Sequence, residues 1–197
     1  MRRLVMLPLA LAMVACTPAP TTPAPVAPEP VGFDVREVTD TTMATPSGME
    51  LLSPRPGLYS AGQPAPGDWS TIAARGVGTV INMRTADEMD GRDEAAEVRA
   101  AGMDYLELPI DGAGAVTAEN ARVLARMLEG IEGPVLVHCA SANRSGGLLA
   151  LMAAREEGMD DAQALAFGRD AGMRGTEERV RTVLACDRIG EDGLASC

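Results

Sequence analysis

The chemistry of this chain concentrates in one stretch, "VLVHCASANRSGG", residues 135–147. An apolar run leads into His138, the only histidine, and then Cys139. Ala140, Ser141, Ala142 and Asn143 separate that thiol from Arg144, and Ser145 and two glycines follow. A loop of small residues between a buried strand and a helix can turn several backbone N–H groups inward. Together with the helix N-terminus it forms a cup for an anion. A cysteine at the foot of the cup feels that positive potential, which stabilises its nucleophilic thiolate form. An arginine on the rim can grip two anionic oxygens with its planar fork. Ser145 is placed to donate to the thiolate and steady it as a leaving group, and His138 suits ordering the loop better than attack.

The rest of the chain must position that loop. From about residue 55, strand-like and helix-like segments alternate. Strands are expected at 57–62, 77–83, 103–110 and 134–138. Helices are expected at 66–76 with Asp68 capping its start, at 86–102 with Gly91 placed to break its beginning, and at 117–130 behind a Thr117 cap. A helix that is apolar nearly all round should follow the cysteine loop and lie buried at the centre, with two more near 160–170 and 175–185. Short connections between alternating strands and helices predict an α/β fold, a mainly parallel sheet with helices on both faces. Ligands of such sheets bind beyond the carboxyl ends of the strands. Cys139 lies at one such end. Arg84 follows strand 77–83 and Asp111 follows strand 103–110, so three chemically useful side chains are expected along one edge.

The pattern His138-Cys139-four residues-Arg144-Ser145 resembles the signature of cysteine-dependent phosphatases. With "LYSAGQPAPGDW", "GVGTVINMRTADE" and "LELPIDG" in the same order, residues 55–175 resemble the bacterial beta-lactamase-hydrolase-like phosphatase family, compact relatives of dual-specificity and protein tyrosine phosphatases. The resemblance implies a tyrosine-phosphatase-like domain, taken here as 51–197. It also implies Cys139 as nucleophile, Arg144 as oxyanion clamp, and an upstream acid as proton donor. Asp111, in a Gly-rich loop, is the first candidate for that acid; Asp87 and Glu88 are alternatives. Residues 140–143 would hold the substrate, with Arg84 beside them. One departure is the loop length. Four residues stand between Cys139 and Arg144 where these phosphatases have five, and six-residue active loops occur in rhodanese-type sulfurtransferases. Phosphate needs room for three equatorial oxygens in its transition state; a sulfane sulfur needs less. Three readings follow, in this order: a phosphatase acting through a phosphocysteine, a sulfurtransferase carrying a persulfide on Cys139, and a catalytically idle anion-binding module.

Composition narrows the partners. The 197 residues fit one domain plus appendages. A net charge of −11 argues against general nucleic-acid binding, because no basic stripe can displace counterions. It also makes an anionic substrate depend on local positive charge. One histidine cannot build a multi-histidine zinc site, and the chain carries no Gly-rich dinucleotide fingerprint or nucleotide P-loop, so neither a metal nor a cofactor is expected. The expected partner is a small anionic substrate or phosphoester.

The termini carry separate signals. "MRRLVMLPLALAMVAC" has a basic start and an apolar stretch too short to span a bilayer, ending at Ala15-Cys16. It resembles a bacterial lipoprotein signal, which would leave Cys16 acylated and the protein exported, facing the periplasm. Its membrane contact would be that lipid anchor alone. Residues 17–31 alternate proline with small residues and suit an extended tether; residues 16–50 are read together as tether and lead-in. In an oxidising compartment Cys186 and Cys197 are a candidate disulfide. Mass spectrometry of the N-terminal peptide is expected to find it beginning at a lipid-modified Cys16; an unmodified peptide, or another start, would refute the lipoprotein reading.

Overall fold

The structure is a computed structural model that describes residues 45–190, with side chains as far as Cys186. The candidate signal peptide, Cys16, the tether and Cys197 lie outside the described residues. Five strands form one sheet in the order β1-β2-β5-β3-β4: β1 (Leu52–Arg55), β2 (Leu58–Ala61), β3 (Thr79–Asn82), β4 (Asp104–Glu107) and β5 (Val135–His138). The β2–β5, β5–β3 and β3–β4 pairs are parallel, and β1 joins antiparallel at the edge. The sheet is therefore mainly parallel, as the alternating pattern predicts, with the cysteine-bearing strand in the middle.

Strand residues alternate between two cores. Leu58, Ile81, Val135 and Val137 face a cluster built with α3 (Ala118–Glu129), α4 (Asn143–Arg155), α5 (Asp161–Asp170) and α6 (Glu177–Gly190). Tyr59, Ala61, Val80 and Leu136 face a smaller one built with Trp69 and Ile72 of α1 (Trp69–Ala74) and Val98 of α2 (Glu94–Ala100). The inner strands β2, β3 and β5 are thus buried on both sides, as strands of a parallel sheet under helices are, while the edge strands β1 and β4 are largely open to solvent. The helix after the cysteine is buried for most of its length, from Arg144 through Ala153. A helix with no solvated face needs neighbours on all sides, and it takes the central place.

Three local readings change. Strand β1 carries no strand-like alternation and was not expected; Pro54 suits an edge strand, where a missing N–H leaves no gap in a ladder. The helix expected over 86–102 is broken. A 3-10 turn at Ala86–Met89 ends in left-handed Asp90 and Gly91 (φ 49° and 74°) before Asp93 caps α2 through Ala96 N–H. Two successive left-handed residues cannot continue a right-handed helix. Asp68, expected to cap α1, is wholly buried and turns its carboxylate back to Ala65 N (2.8 Å) and to Ser47 N and Oγ (3.0 and 2.6 Å). It pins residues 45–50 against the domain.

Glycine sets how closely α4 and α5 approach. A Cβ on Gly146 would strike Met173 N and come within 2.7 Å of Gly168 O, both rigid backbone atoms. Gly146→Ala is expected to cost about 1–3 kcal/mol by overpacking, read as a lower thermal midpoint. Gly67→Ala, at an open position, should leave the midpoint nearly unchanged.

Candidate active site

Strand β5 delivers Cys139 to the carboxyl edge of the sheet. In register, His138 stands opposite Ala61 of β2 and Asn82 of β3, so the loop starts between two strand ends. Both ends hold it: Met83 N donates to His138 O (2.8 Å), Cys139 N to Ala61 O (3.4 Å) and Gln63 N to Ala140 O (3.2 Å). Ala142 then adopts a left-handed conformation (φ 62°) and caps α4, at a cost of roughly 1–2 kcal/mol for a residue with a side chain. Its methyl lies over Gly172, where a Cβ would come within 2.5 Å of it. Asn143 ties the loop to the α5–α6 connection: its Oδ1 accepts from Arg174 N (2.8 Å) and Thr176 N (3.1 Å), and Thr176 Oγ1 donates to Asn143 O (2.8 Å).

The N–H groups of Asn143, Arg144 and Ser145, in the first turn of α4, make no hydrogen bond among the described residues, whereas Ser141 bridges to Gly62 at the loop entrance. Cys139 lies at the start of that loop, fully buried. Ser145 Oγ is 4.0 Å from Cys139 Sγ and donates to Ala142 O at 2.9 Å.

Arg144 is nearly buried, and one end of its guanidinium is fixed. Nη1 donates to Glu88 Oε2 (2.8 Å) and Ile110 O (2.5 Å), and Nη2 to Glu88 Oε1 (2.6 Å). Of five donors, three are thereby used. Nε–H and the second Nη2–H, on the other edge, are not taken by Glu88 or Ile110, and the guanidinium also interacts with Cys139. Hydrogen bonding to Glu88 raises the Arg144 pKa despite partial desolvation, with a further contribution from its interaction with Cys139. The Arg144 guanidinium, against a smaller burial effect, holds Glu88 far below the usual carboxylate value of 4.5, at about 2. Glu88 is therefore an ionised clamp on Arg144. The alternative reading of it as proton donor is corrected: a carboxyl with that pKa holds no proton to give near neutral pH.

Other candidates sort by contact. Arg84 Nη1 binds Gln63 Oε1 (2.5 Å) and Nη2 binds Glu88 O, so this guanidinium braces the turn carrying Glu88. Asp87 is exposed. Asp111 is also exposed and follows Ile110, whose carbonyl holds Arg144; it sits in the loop beyond β4. Cys186 is disulfide-bonded; the expected pairing with Cys197 concerns a residue outside the described ones. No group of three or more His, Cys, Asp or Glu residues suited to a metal occurs among the described residues.

Behind the loop is a buried network that the motif did not announce. His138 Nδ1 is 3.4 Å from Cys139 O, and Nε2 is 3.3 Å from Glu94 Oε2. The latter is a close electrostatic contact without hydrogen-bond alignment. Glu94 also receives Gln63 Nε2 and the Tyr105 hydroxyl (3.2 Å), with Arg92 Nη1 3.8 Å away. Burial pushes the Glu94 carboxyl up, but His138, Gln63 and Arg92 outweigh it and hold it below its usual value. Burial, with the nearby Glu94 charge, pushes Tyr105 up to about 12. Gln63 stood in a quoted motif without a role, and Glu94 lay within the helix expected over 86–102 without one. Two surface recesses elsewhere, one between α5 and α6 and one beside the β1–β2 turn, contain none of these groups.

A buried cysteine ahead of the open first turn of α4, with an arginine locked beside it by Glu88, defines a cysteine-dependent, phosphatase-like hydrolase domain. The chain belongs to the family of the beta-lactamase hydrolase-like protein, phosphatase-like domain, which it matches over residues 52–156. It is 31% identical over 120 residues to the beta-lactamase hydrolase-like protein of Agrobacterium fabrum, covering 59% of this chain and 28% of that one. It is 33% identical over 132 residues to that of Xylella fastidiosa, covering 63% and 30%. The chain thus spans under a third of the length of these relatives. Among solved structures, it resembles a DUF442 candidate phosphatase of Shewanella putrefaciens with a TM-score of 0.54 and 25% identity, over 70% of this chain and 91% of that one. The kinase associated phosphatase shares the fold alone, with a TM-score of 0.52 at 16% identity over 70% and 95%.

The depressed Glu88 pKa fixes a pH dependence. A carboxylate held below its unfolded value stabilises the fold above that value, and the stabilisation fades as pH falls from about 4.5 toward about 2. Glu88→Gln is therefore expected to lower the thermal midpoint at neutral pH, with the gap to wild type closing through that acid window. A gap that stays constant with pH would contradict the clamp.

Proposed function

We propose that the domain hydrolyses phosphate monoesters through a phosphocysteine on Cys139. The observation that carries this reading is a buried thiol followed by the open first turn of α4, residues 143–145, with Arg144 held beside it by Glu88 and Ile110. Phosphoryl transfer is catalysed chiefly by positioning and by stabilising charge on the equatorial oxygens. The amides of that turn and the Arg144 guanidinium supply that stabilisation. Cys139 Sγ attacks phosphorus, the ester P–O bond breaks, and the leaving oxygen takes a proton from Asp111. Water then attacks the phosphocysteine and gives a proton to Asp111. The S–P bond breaks, its electron pair returns to sulfur, and Ser145 donates to the thiolate. The substrate is a phosphoester small enough, or slender enough, to reach a buried sulfur.

The sequence supports placing this activity outside the cytoplasm. With Cys16 acylated and residues 17–31 extended, the domain would work on periplasmic phosphoesters at the membrane face.

A persulfide-carrying role on Cys139 is the second reading, favoured by the six-residue loop from Cys139 to Arg144. Proton demand separates the two. Asp111→Asn is expected to slow hydrolysis of alkyl phosphates by about 10²–10⁴-fold, the usual contribution of a general acid, while activated aryl phosphates lose much less. Cys139→Ser should abolish both. Thiosulfate treatment that adds one cyanide-removable sulfur to Cys139, with no phosphate release from any ester, would replace the phosphatase reading with the sulfurtransferase one.

A further inference from the structure

Ser60 lies in the middle of β2, paired in register with Leu52 of β1 and Val137 of β5. It is fully buried, as is Ser145. The two hydroxyl oxygens are 2.9 Å apart. Ser145 Oγ also lies 2.9 Å from Ala142 O and 4.0 Å from Cys139 Sγ, the outer reach of a sulfur hydrogen bond. Nothing in the phosphatase mechanism above uses Ser60.

Counting protons fixes the direction of this chain. Each serine hydroxyl has one hydrogen to donate. A carbonyl and a thiolate only accept, so on that side Ser145 must be the donor. Ser60 has no hydrogen-bond partner other than Ser145 among the described residues. If Ser145 donated to Ser60, the Ser60 hydrogen would be buried with no acceptor and Ala142 O would lose its hydroxyl. Burying a polar group without a partner is the costly outcome. The arrangement that satisfies every donor is Ser60 to Ser145, and Ser145 onward to Ala142 O or Cys139 Sγ.

We propose that Ser60 is a positioning residue that keeps the Ser145 hydrogen aimed into the cysteine loop, ready to pass from Ala142 O to Cys139 Sγ. Ser60 touches neither substrate nor sulfur; it acts through Ser145. While Cys139 carries a phosphoryl group, the Ser145 hydrogen rests on the Ala142 carbonyl. When water attacks phosphorus and the S–P electron pair moves onto sulfur, the hydrogen turns to the new thiolate. The Ser60 bond holds the Ser145 oxygen in place throughout. A hydroxyl that accepts from behind is a stronger donor ahead. The effect belongs to the step in which sulfur leaves, since the attack on substrate begins from a thiolate already formed.

This inference rests on the phosphatase reading, and the test separates the two. The full chain is compared as wild type, Ser60→Ala, Ser145→Ala and the double variant, with p-nitrophenyl phosphate under pre-steady-state conditions. Ser60→Ala is expected to lower kcat about fivefold, the size of one weakened hydrogen bond, leave kcat/KM nearly unchanged, and reveal a burst of nitrophenol. In the Ser145→Ala background it should add nothing. Equal loss in kcat and kcat/KM, or losses that multiply in the double variant, would overturn the relay and leave Ser60 a packing residue. If wild type releases no phosphate, the phosphatase reading fails, and the relay is judged by iodoacetamide alkylation of Cys139 at a fixed, mildly acidic pH. Slower alkylation in Ser60→Ala that disappears without Ser145 supports it; an unchanged rate overturns it. Should Ser60→Ala not fold, Ser60→Cys, a near-isosteric weaker donor, carries the same comparison.

Discussion

The unpaired N–H groups in the first turn of α4, beside a buried thiol, are the constraint around which this domain is built. Buried amides are normally paired, because leaving one unpaired forfeits its hydration. Arg144 and Ser145, both buried in the first turn of α4, break that rule beside a buried cysteine. The surroundings hold the cysteine loop from outside: Ala61 and Gln63 at its entrance, Gly172 under the left-handed Ala142, and Thr176 and Arg174 around Asn143. These contacts leave the N–H groups of Asn143, Arg144 and Ser145 unused. The amides stay available because other groups fix the conformation.

The same logic governs Arg144. A flexible guanidinium near a thiolate could collapse onto it or swing to solvent. Glu88 and the Ile110 carbonyl take one end and leave the other edge presented. Glu88 reaches this position because the chain stops being helical at Asp90 and Gly91. The interruption also lets α2 begin at Glu94, whose carboxylate then lies against His138 behind the loop. One break in one helix therefore serves both sides of the site.

The His138–Glu94 contact carries a penalty, since a buried carboxylate must be matched by its surroundings. Gln63, Tyr105, Arg92 and His138 share that task, drawn from the β2 exit, β4, the turn before α2 and β5. A network with members on so many elements fixes the strand ends relative to one another, and with them the point where Cys139 leaves β5. The two cores do the bulk of the holding; the polar network sets the register of the edge that does chemistry.

The sequence by itself determined the alternation of strands and helices, the buried central helix, and the cysteine-to-arginine loop, because each is written in local periodicity and in the residues of one contiguous stretch. It also placed Arg84 and Asp111 after strand ends, which a parallel sheet must bring to one edge. Tertiary structure alone decided the rest. Whether Glu88 donates a proton or clamps Arg144 depends on a contact across 56 residues. The partnership of Ser60 with Ser145 spans 85 residues, and no spacing rule predicts it. Strand β1 exists because β2 offers it an edge, not because its residues favour a strand. Side-chain roles that depend on which partner lies across the sheet are set by packing, and a linear pattern holds no record of that partner until the strands are in order.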